Sequence, residues 1–528
     1  MLPRPPRRVA AIDAAGPGAR RGASGIVDTL GLGHGSIVRS AAITSALTFG
    51  AQLMAVALQL VFAALFGTSS ETDAYFAALA LPTFVAAVVG AAIPVAVVPA
   101  VVGARQRPGR SLDEDIGSGA VNLVALGTAL PIAVALLFAD PVLAAYAPGL
   151  PPATAVIARR LALILWPSAV TSSLVIVLTA LWQADRRFGW PATVPLVGTG
   201  ATILALVTLA PALGIAGAAL AWSLGVLAET ALLAPVVLRR WRPRLPLADP
   251  SLRIVMTAAW PLVIANVFIQ ASAIWERYLA SLLPARELSR LIYASQISLA
   301  LGILLSAGPA AVMLPRFSEV ATAGDRARLG REVGRGLRSM WLVVAPAAVL
   351  VAVLAEPSVT LVLQRGAFTS ADSHDVAILL RMYVVALVPG VLAVVTARAL
   401  YALRATRMVA AVGIVEGVAY LVYTAWLSAR LGAVGIAAGF AIFASVSLVW
   451  QLVYLGRLLP TRWPRALGAF VAIGCGAAIS GLVAYGVSTG VAGALGRVLA
   501  GGTAGVTAYV GLVIVVLWRL RRSSESTA

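Results

Sequence analysis

The chain contains no lysine, one cysteine and two histidines, and only 12% of its residues are charged. Soluble domains carry about 25% charged residues, so a soluble globular fold is excluded. A single cysteine, Cys475, permits no intrachain disulfide, and its place in an apolar run reads as a small buried residue. His34, near the N-terminus, and His374, in a loop, do not form a metal cluster. No GxxxxGK[ST] loop and no HExxH occur, so ATP hydrolysis within the chain is not expected. The absence of a large, acid-bearing soluble loop speaks against a polytopic glycosyltransferase.

What is present is apolar surface. Of the 528 residues, 60% are hydrophobic and the mean hydropathy is +0.94. Apolar runs fall near 41–66, 74–103, 117–139, 154–182, 191–210, 213–238, 254–283, 289–315, 337–356, 377–402, 408–429, 432–456, 466–487 and 492–518. A span needs about 20 such residues, so the pattern predicts an all-α polytopic membrane protein with about fourteen transmembrane helices. The stretch 67–103 organises the rest. It opens on Glu71 and Asp73, then runs uncharged from Ala74 to Val102 around Pro82, Pro94 and Pro99. Each proline removes an N–H and crowds the preceding turn, so the helix is expected to kink. The freed carbonyls then need partners from neighbouring helices or a wet cavity.

The net charge of +19 rests on arginine alone. With both termini placed inside, 30 of the 40 arginines fall in inside segments and 4 in outside loops. One missed helix would invert every later loop, so the asymmetry supports fourteen spans with cytoplasmic ends. Nucleic-acid binding is not expected. Residues 1–40, rich in Gly, Ala, Pro and Arg, read as a disordered basic tail, and 520–528 as a short C-terminal one.

Residues near 99–240 recur about 216–219 positions later. Asp140–Pro141 matches Glu356–Pro357, Ala180–Leu181–Trp182 matches Ala399–Leu400–Tyr401, and the 213–217 turn matches 431–435. Each copy holds six spans, an even number, so the two keep one orientation. Parallel repeats about an axis normal to the membrane mark rocking transporters with substrate held between the halves. The expected organisation is an N-lobe over 41–240, a C-lobe over 254–457, and two further spans over 466–519.

Ionisable residues inside spans are costly and usually face a cavity or a partner. The candidates are Glu229, Glu276, Arg277, Arg381, Arg398 and Glu416. Glu276 and Arg277 lie mid-span beside Trp275 and near Asn266, Gln270 and Ser272. They read as a polar cavity wall in which Arg277 binds an anion such as a phosphate, or as a structural ion pair. Arg381 stands between the same alternatives, and Arg398 can snorkel to headgroups. Glu229 and Glu416 read as proton or cation relays, or as helix-pairing hydrogen bonds. Asp73 is explained by capping at its own helix N-terminus. Arg328, Arg331, Arg335 and Arg338 recur at helical spacing, an amphipathic segment suited to an anionic inner leaflet.

Several segments together resemble the MurJ/MviN family of lipid-linked oligosaccharide flippases, part of the MOP exporter superfamily. They are FGTSSETDAYFAALALPTF (66–84), YAPGL (146–150), LTALWQADRRFGWPATVP (178–195), LGIAGAALA (213–221), LASLLPARELSRLIYAS (279–295), LPRFSEVATAGDRARLGREVGRGLR (314–338), LVLQRGAFTSAD (361–372) and ARALYALRATR (397–407). The resemblance covers about residues 41–460. It implies a V-shaped bundle in the bacterial cytoplasmic membrane that acts as a monomeric transporter, not an enzyme. The implied cargo is a polyprenyl-diphosphate-linked glycan, lipid II or a related cell-wall or exopolysaccharide precursor, moved from inner to outer leaflet by alternating access. It implies no cofactor, with the membrane potential or an ion gradient as the drive. The implied cavity residues are Arg277, Glu276, Asp73, Gln52, Gln270 and Arg381, with Arg365 also retained. Where the family carries cavity arginines in the first two spans, this chain has Gln52, Leu58 and the segment 81–87. A cation-coupled small-molecule exporter of the MATE type is the alternative, kept open by Glu229 and Glu416.

Overall fold

A computed structural model describes residues 34–105, 111–238, 241, 250–460 and 463–525. The bulk of the expected N-terminal tail lies outside the described residues. Its last part is already helical, because α1 starts at His34.

The helices in chain order are α1 (His34–Phe66), α2 (Ser70–Arg105), α3 (Ser111–Leu137), α4 (Ala139–Tyr146), α5 (Pro152–Leu165), α6 (Ser168–Ala184), α7 (Gly189–Leu213), α8 (Ile215–Leu233) and α9 (Pro235–Leu238). They continue as α10 (Pro250–Ser281), α11 (Glu287–Thr322), α12 (Arg326–Val353), α13 (Ala355–Leu363), α14 (Ser370–Ala402), α15 (Thr406–Leu431), α16 (Ala433–Leu458), α17 (Trp463–Thr489) and α18 (Ala494–Glu525). Among the described residues there is no strand, and 14 stretches are long and apolar enough to cross a membrane. They coincide with the fourteen runs read from the sequence. The fourth is one apolar stretch, Pro152–Ala184, interrupted at Trp166–Pro167 where α5 passes to α6. The ninth starts earlier than hydropathy suggested, at Arg326, because Asp325 caps it by accepting from the Arg328 amide at 2.7 Å.

The repeat is visible in the backbone. Gly214 and Gly432 adopt φ 57°, ψ −138° and φ 59°, ψ −139°, and Arg186 and Arg404 adopt φ 58° and 57°. These pairs lie one repeat apart, so the same turns close equivalent hairpins in both lobes. Lipid gives little hydrophobic drive between helices, so close approach of small residues does the work. In the α7–α8 hairpin a Cβ on Gly225 would lie 1.8 Å from Thr202 Oγ1.

The helix prolines are accommodated as the physics of a bilayer requires. α2 runs unbroken through Pro82, Pro94 and Pro99. Pro82 cannot donate to Ala78, and the Trp166 indole N–H donates to that carbonyl instead, at 3.1 Å. One residue away, Tyr146 donates to the Ala77 carbonyl at 3.1 Å. The same solution recurs in α12, where Pro346 frees the Leu342 carbonyl and Tyr509 of α18 donates to it at 2.8 Å. Cys475 departs from expectation. It is exposed on α17, on the face turned away from the bundle.

The basic stripe on α12 has the expected form. Arg328, Arg331, Arg335 and Arg338 are exposed, while Leu329, Val333, Leu337 and Met340 are buried. Buried Glu332 is held between Arg316, at 3.0 Å, and Arg335, at 3.1 Å.

Candidate functional site: a central cavity and the seal above it

A cavity of ≈ 600 Å³ opens between the lobes, walled by α2, α10, α11, α14 and α16. Along α11 it extends from Leu288 to Ser306, roughly 27 Å of helix at 1.5 Å per residue. Among its lining residues only Glu276 and Arg277 are ionisable side chains of the carboxylate or guanidinium kind. Both come from α10, close to its end at Ser281. The register of α10 is set by Trp275, which donates to the Leu421 carbonyl of α15 at 3.1 Å and stacks on Tyr278 at 5.1 Å between ring centroids. Glu276 accepts from the Tyr420 hydroxyl of α15. Arg277 donates through Nη1 to the Ala273 carbonyl at 3.0 Å, and its buried Nε has no protein acceptor. The Tyr383 hydroxyl, on the cavity wall of α14, is buried and unpaired as well. A guanidinium with an unspent donor can bind an anionic oxygen.

One end of the cavity is sealed by three loops, 67–69, 282–286 and 364–369. Buried Asp73 accepts from the Arg286 amide at 2.5 Å and the Ser289 amide at 2.8 Å. Arg286, in the left-handed region at φ 80°, is the residue at which α11 begins. Asp73 therefore caps α11 of the opposite lobe. The sequence reading placed it as a cap for its own helix or as a cavity residue, and its carboxylate occupies neither position. Thr68 donates to Asp372, which also closes a capping box with Thr369 on α14. Arg290 pairs with Asp375 and Glu287, both at 2.9 Å, and lies 3.5 Å from Asp372. Beneath this layer Phe76, Tyr293 and Phe368 meet edge to face at 5.7 and 5.6 Å.

The seal is reciprocal. Gly366 of the C-lobe lies against the end of α1, where an added Cβ would stand 2.1 Å from the Ala64 carbonyl oxygen, and Ala367 donates to that oxygen at 2.8 Å. Gly149 of the N-lobe lies against the end of α10, where an added Cβ would stand 2.3 Å from the Ser281 carbonyl oxygen. Gly149 and Gly366, and likewise Ala64 and Ser281, are one repeat apart, so each lobe presents the same glycine to the same helix end of the other. Removing the Asp73 acceptor leaves the buried Ser289 amide unpaired, at about 1–3 kcal/mol, and frees the part-buried Arg286 amide. Asp73→Ala is therefore expected to speed hydrogen exchange at the Arg286 and Ser289 amides by tenfold or more, with Asp73→Asn intermediate. Mass spectrometry of exchanged peptides covering 286–289 checks it, and unchanged exchange would remove Asp73 from the seal.

The remaining sequence candidates lie elsewhere. Gln52 lines a smaller groove of ≈ 140 Å³ between α1 and α11, where Gln59 donates to Gln296. That groove shares Gln296, Leu299 and Ile303 with the cavity. Gln270 is half-buried on α10, outside the cavity lining. Arg381 ties α14 to α12 and α13, donating to the Ala352 carbonyl at 3.2 Å with Glu356 at 3.8 Å. Exposed Arg365, in the loop after α13, donates to the Leu361 carbonyl of that helix at 3.1 Å, and Arg398 is half-buried on α14. Glu229 fills the space that Gly198 leaves open, since a Cβ there would fall 2.1 Å from Glu229 Cγ. Glu416 is buried and accepts from Ser447 of α16 at 3.0 Å. Tyr420, Tyr383 and Ser289 were not legible as site residues. A tyrosine or serine in an apolar run carries no spacing signal that distinguishes it from core. Among the described residues no group of three His, Cys, Asp or Glu could hold a metal ion.

Fourteen apolar spans among the described residues, twelve of them in two like-oriented lobes with a charged cavity between them sealed at one end, define a polytopic membrane protein of the transporter class. The profile of the family described as "Lipid II flippase MurJ" matches residues 62–501. The chain belongs to that family. It is 26% identical over 360 residues to a probable lipid II flippase MurJ of Bdellovibrio bacteriovorus, covering 65% of this chain and 68% of the relative. Its fold is similar to that of a lipid II flippase MurJ in an inward closed conformation, with a TM-score of 0.79 and 20% identity over 90% of this chain and 99% of the other. A multidrug MATE transporter of the MOP superfamily in an inward-facing conformation is similar at a TM-score of 0.64 and 15% identity, over 79% and 98%. These two likenesses concern the fold alone.

Proposed function

We propose that the chain flips a lipid-linked glycan, a precursor of the cell envelope, across the bacterial cytoplasmic membrane by alternating access. The observation that carries this reading is Arg277, a cation with an unspent donor in a cavity between two lobes whose far end is closed. The guanidinium holds the phosphate of the cargo, and the apolar remainder of the wall accommodates the lipid stem. The arginine distribution favours termini and a basic α12 stripe in the cytoplasm, with the seal of 67–69, 282–286 and 364–369 outside. Loading then occurs from the inner leaflet, and parting of the Asp73 and Gly366 contacts releases cargo outward. The protein acts as a monomer, driven by the membrane potential or an ion gradient. The family assignment and a guanidinium in the cavity wall favour an anionic lipid over the cargo of a cation-coupled small-molecule exporter of the MATE type.

The test is flipping in proteoliposomes of a fluorescent, short-chain polyprenyl-linked sugar, read by quenching of the outer-leaflet label. Wild-type protein is expected to expose inner-leaflet probe many times faster than protein-free vesicles. A rate equal to that of empty vesicles would overturn the reading.

A further inference from the structure

The loop 147–150, which sets Gly149 against Ser281 of the other lobe, also closes one side of a second cavity, ≈ 430 Å³, in the corner between α4 and α5. Leu143 and Ala147 give it a buried apolar floor, and its charged lining is Asp140, Arg159 and Arg160. Arg159 and Asp140 form an exposed pair at 3.4 Å. Arg160 is exposed and has no hydrogen bond or ion pair among the described residues. On α5 the two arginines are flanked at helical spacing by Val156 and Leu163, 53% and 55% exposed, so this face of the helix meets lipid. The apolar stretch Pro152–Ala184 is 33 residues long, where about 20 cross the hydrocarbon. Arg186 and Arg187 follow it at the end remote from the seal. Counting about 20 residues back from Ala184 reaches Leu165. Arg160 stands roughly 8 Å of helix beyond that point, toward the sealed end. Lipid headgroups lie at that depth.

We infer that this corner holds the headgroup of an anionic phospholipid, a phosphodiester with a single net negative charge, in the leaflet at the sealed end. The site is separate from the central cavity and independent of its cargo. Two guanidiniums against one carboxylate leave one positive charge, which one phosphodiester neutralises. The planar fork of Arg160 can meet both unbridged oxygens, while the Arg159–Asp140 pair stays in place beside it. A zwitterionic headgroup leaves the surplus unanswered, because its own cation cancels its phosphate. Val156 and Leu163 then lie along the acyl chains. A guanidinium that faces lipid without a partner is costly, and the bound headgroup removes that cost.

The test places a bimane fluorophore on Leu163→Cys of the full chain, in a Cys475→Ser background. The protein is reconstituted in mixtures of phosphatidylglycerol and phosphatidylcholine in which one lipid or the other carries acyl chains brominated near the glycerol. Quenching by each brominated lipid gives its share of the positions beside the label. Phosphatidylglycerol is expected to be enriched there about fivefold over the bulk mixture, the effect of one arginine at a membrane surface. Arg160→Gln is expected to abolish the enrichment. It removes an exposed side chain without a protein partner, so the fold is retained. Arg328→Gln, in the basic stripe at the opposite end, is expected to leave the enrichment unchanged. Bulk proportions beside the label in the unsubstituted site overturn the inference, as does enrichment that survives Arg160→Gln. Equal loss in Arg328→Gln would assign the effect to the charge of the whole protein, and loss on adding millimolar free phosphate would assign the corner to that ion. Either result also overturns the lipid site.

Discussion

Arg277→Ala is expected to lower flipping about a hundredfold or more while the protein remains in the membrane at normal abundance. Removing one partner of a desolvated, hydrogen-bonded charge pair costs about 2–5 kcal/mol, and each 1.4 kcal/mol is a factor of about ten. The bundle itself should tolerate the change. The one protein bond of the guanidinium runs within its own helix, to Ala273, and Glu276 keeps the Tyr420 hydroxyl. The comparison of flipping rate with membrane abundance separates loss of an anion anchor from loss of a fold contact. Parallel loss of rate and abundance would show that Arg277 is structural.

Gly366→Val is expected to open the seal. The side chain would collide with the Ala64 carbonyl oxygen, which lies 2.1 Å from the position of an added Cβ. It must also adopt φ 58°, at about 1–3 kcal/mol for a residue other than glycine. The two effects differ in kind. Backbone strain persists in any state that keeps the loop's shape, whereas the clash exists only when the lobes are closed, and only a differential energy shifts a population. Gly493→Val is the control, since Gly493 has φ 78° and nothing within 4 Å of its added Cβ. The readout is maleimide labelling of Thr72→Cys, at a fully buried residue of α2 whose hydroxyl donates to the Gly67 carbonyl of the seal loop, in a background where exposed Cys475 is replaced by Ser. Labelling is expected to accelerate tenfold or more in Gly366→Val and to stay near the reference in Gly493→Val. Equal labelling in both would place the seal elsewhere.

The two results bear on different halves of one cycle. On the proposed reading Arg277 governs what the cavity holds, and Gly366 governs whether the end beyond it can close. A transporter needs both, because cargo binding moves the lobes only through a difference in affinity between the closed and open arrangements.

The spans, their number, the repeat and the pair Glu276–Arg277 within an apolar run were all legible in residue order. Those features are set by local physics. Bilayer thickness demands a minimum apolar length, and a carboxylate and a guanidinium side by side in such a run need an explanation wherever they fold. Which side chains meet was settled only by folding. Tyr420, which holds Glu276, is 144 residues distant, and Ser289, which Asp73 caps, is 216 away. Asp73 shows why the difference matters. An acid at a helix N-terminus is satisfied by any free amides, and the sequence makes its own helix the nearest supply. The fold brings the start of α11 closer. Pro82 is the converse case: its missing N–H required a donor from outside the helix, but only packing could choose Trp166. The apolar neighbours of Cys475 imply burial, yet in a bilayer an apolar residue is equally at home facing lipid. Hydropathy finds the membrane, and the pairing of helices decides which faces turn toward each other within it.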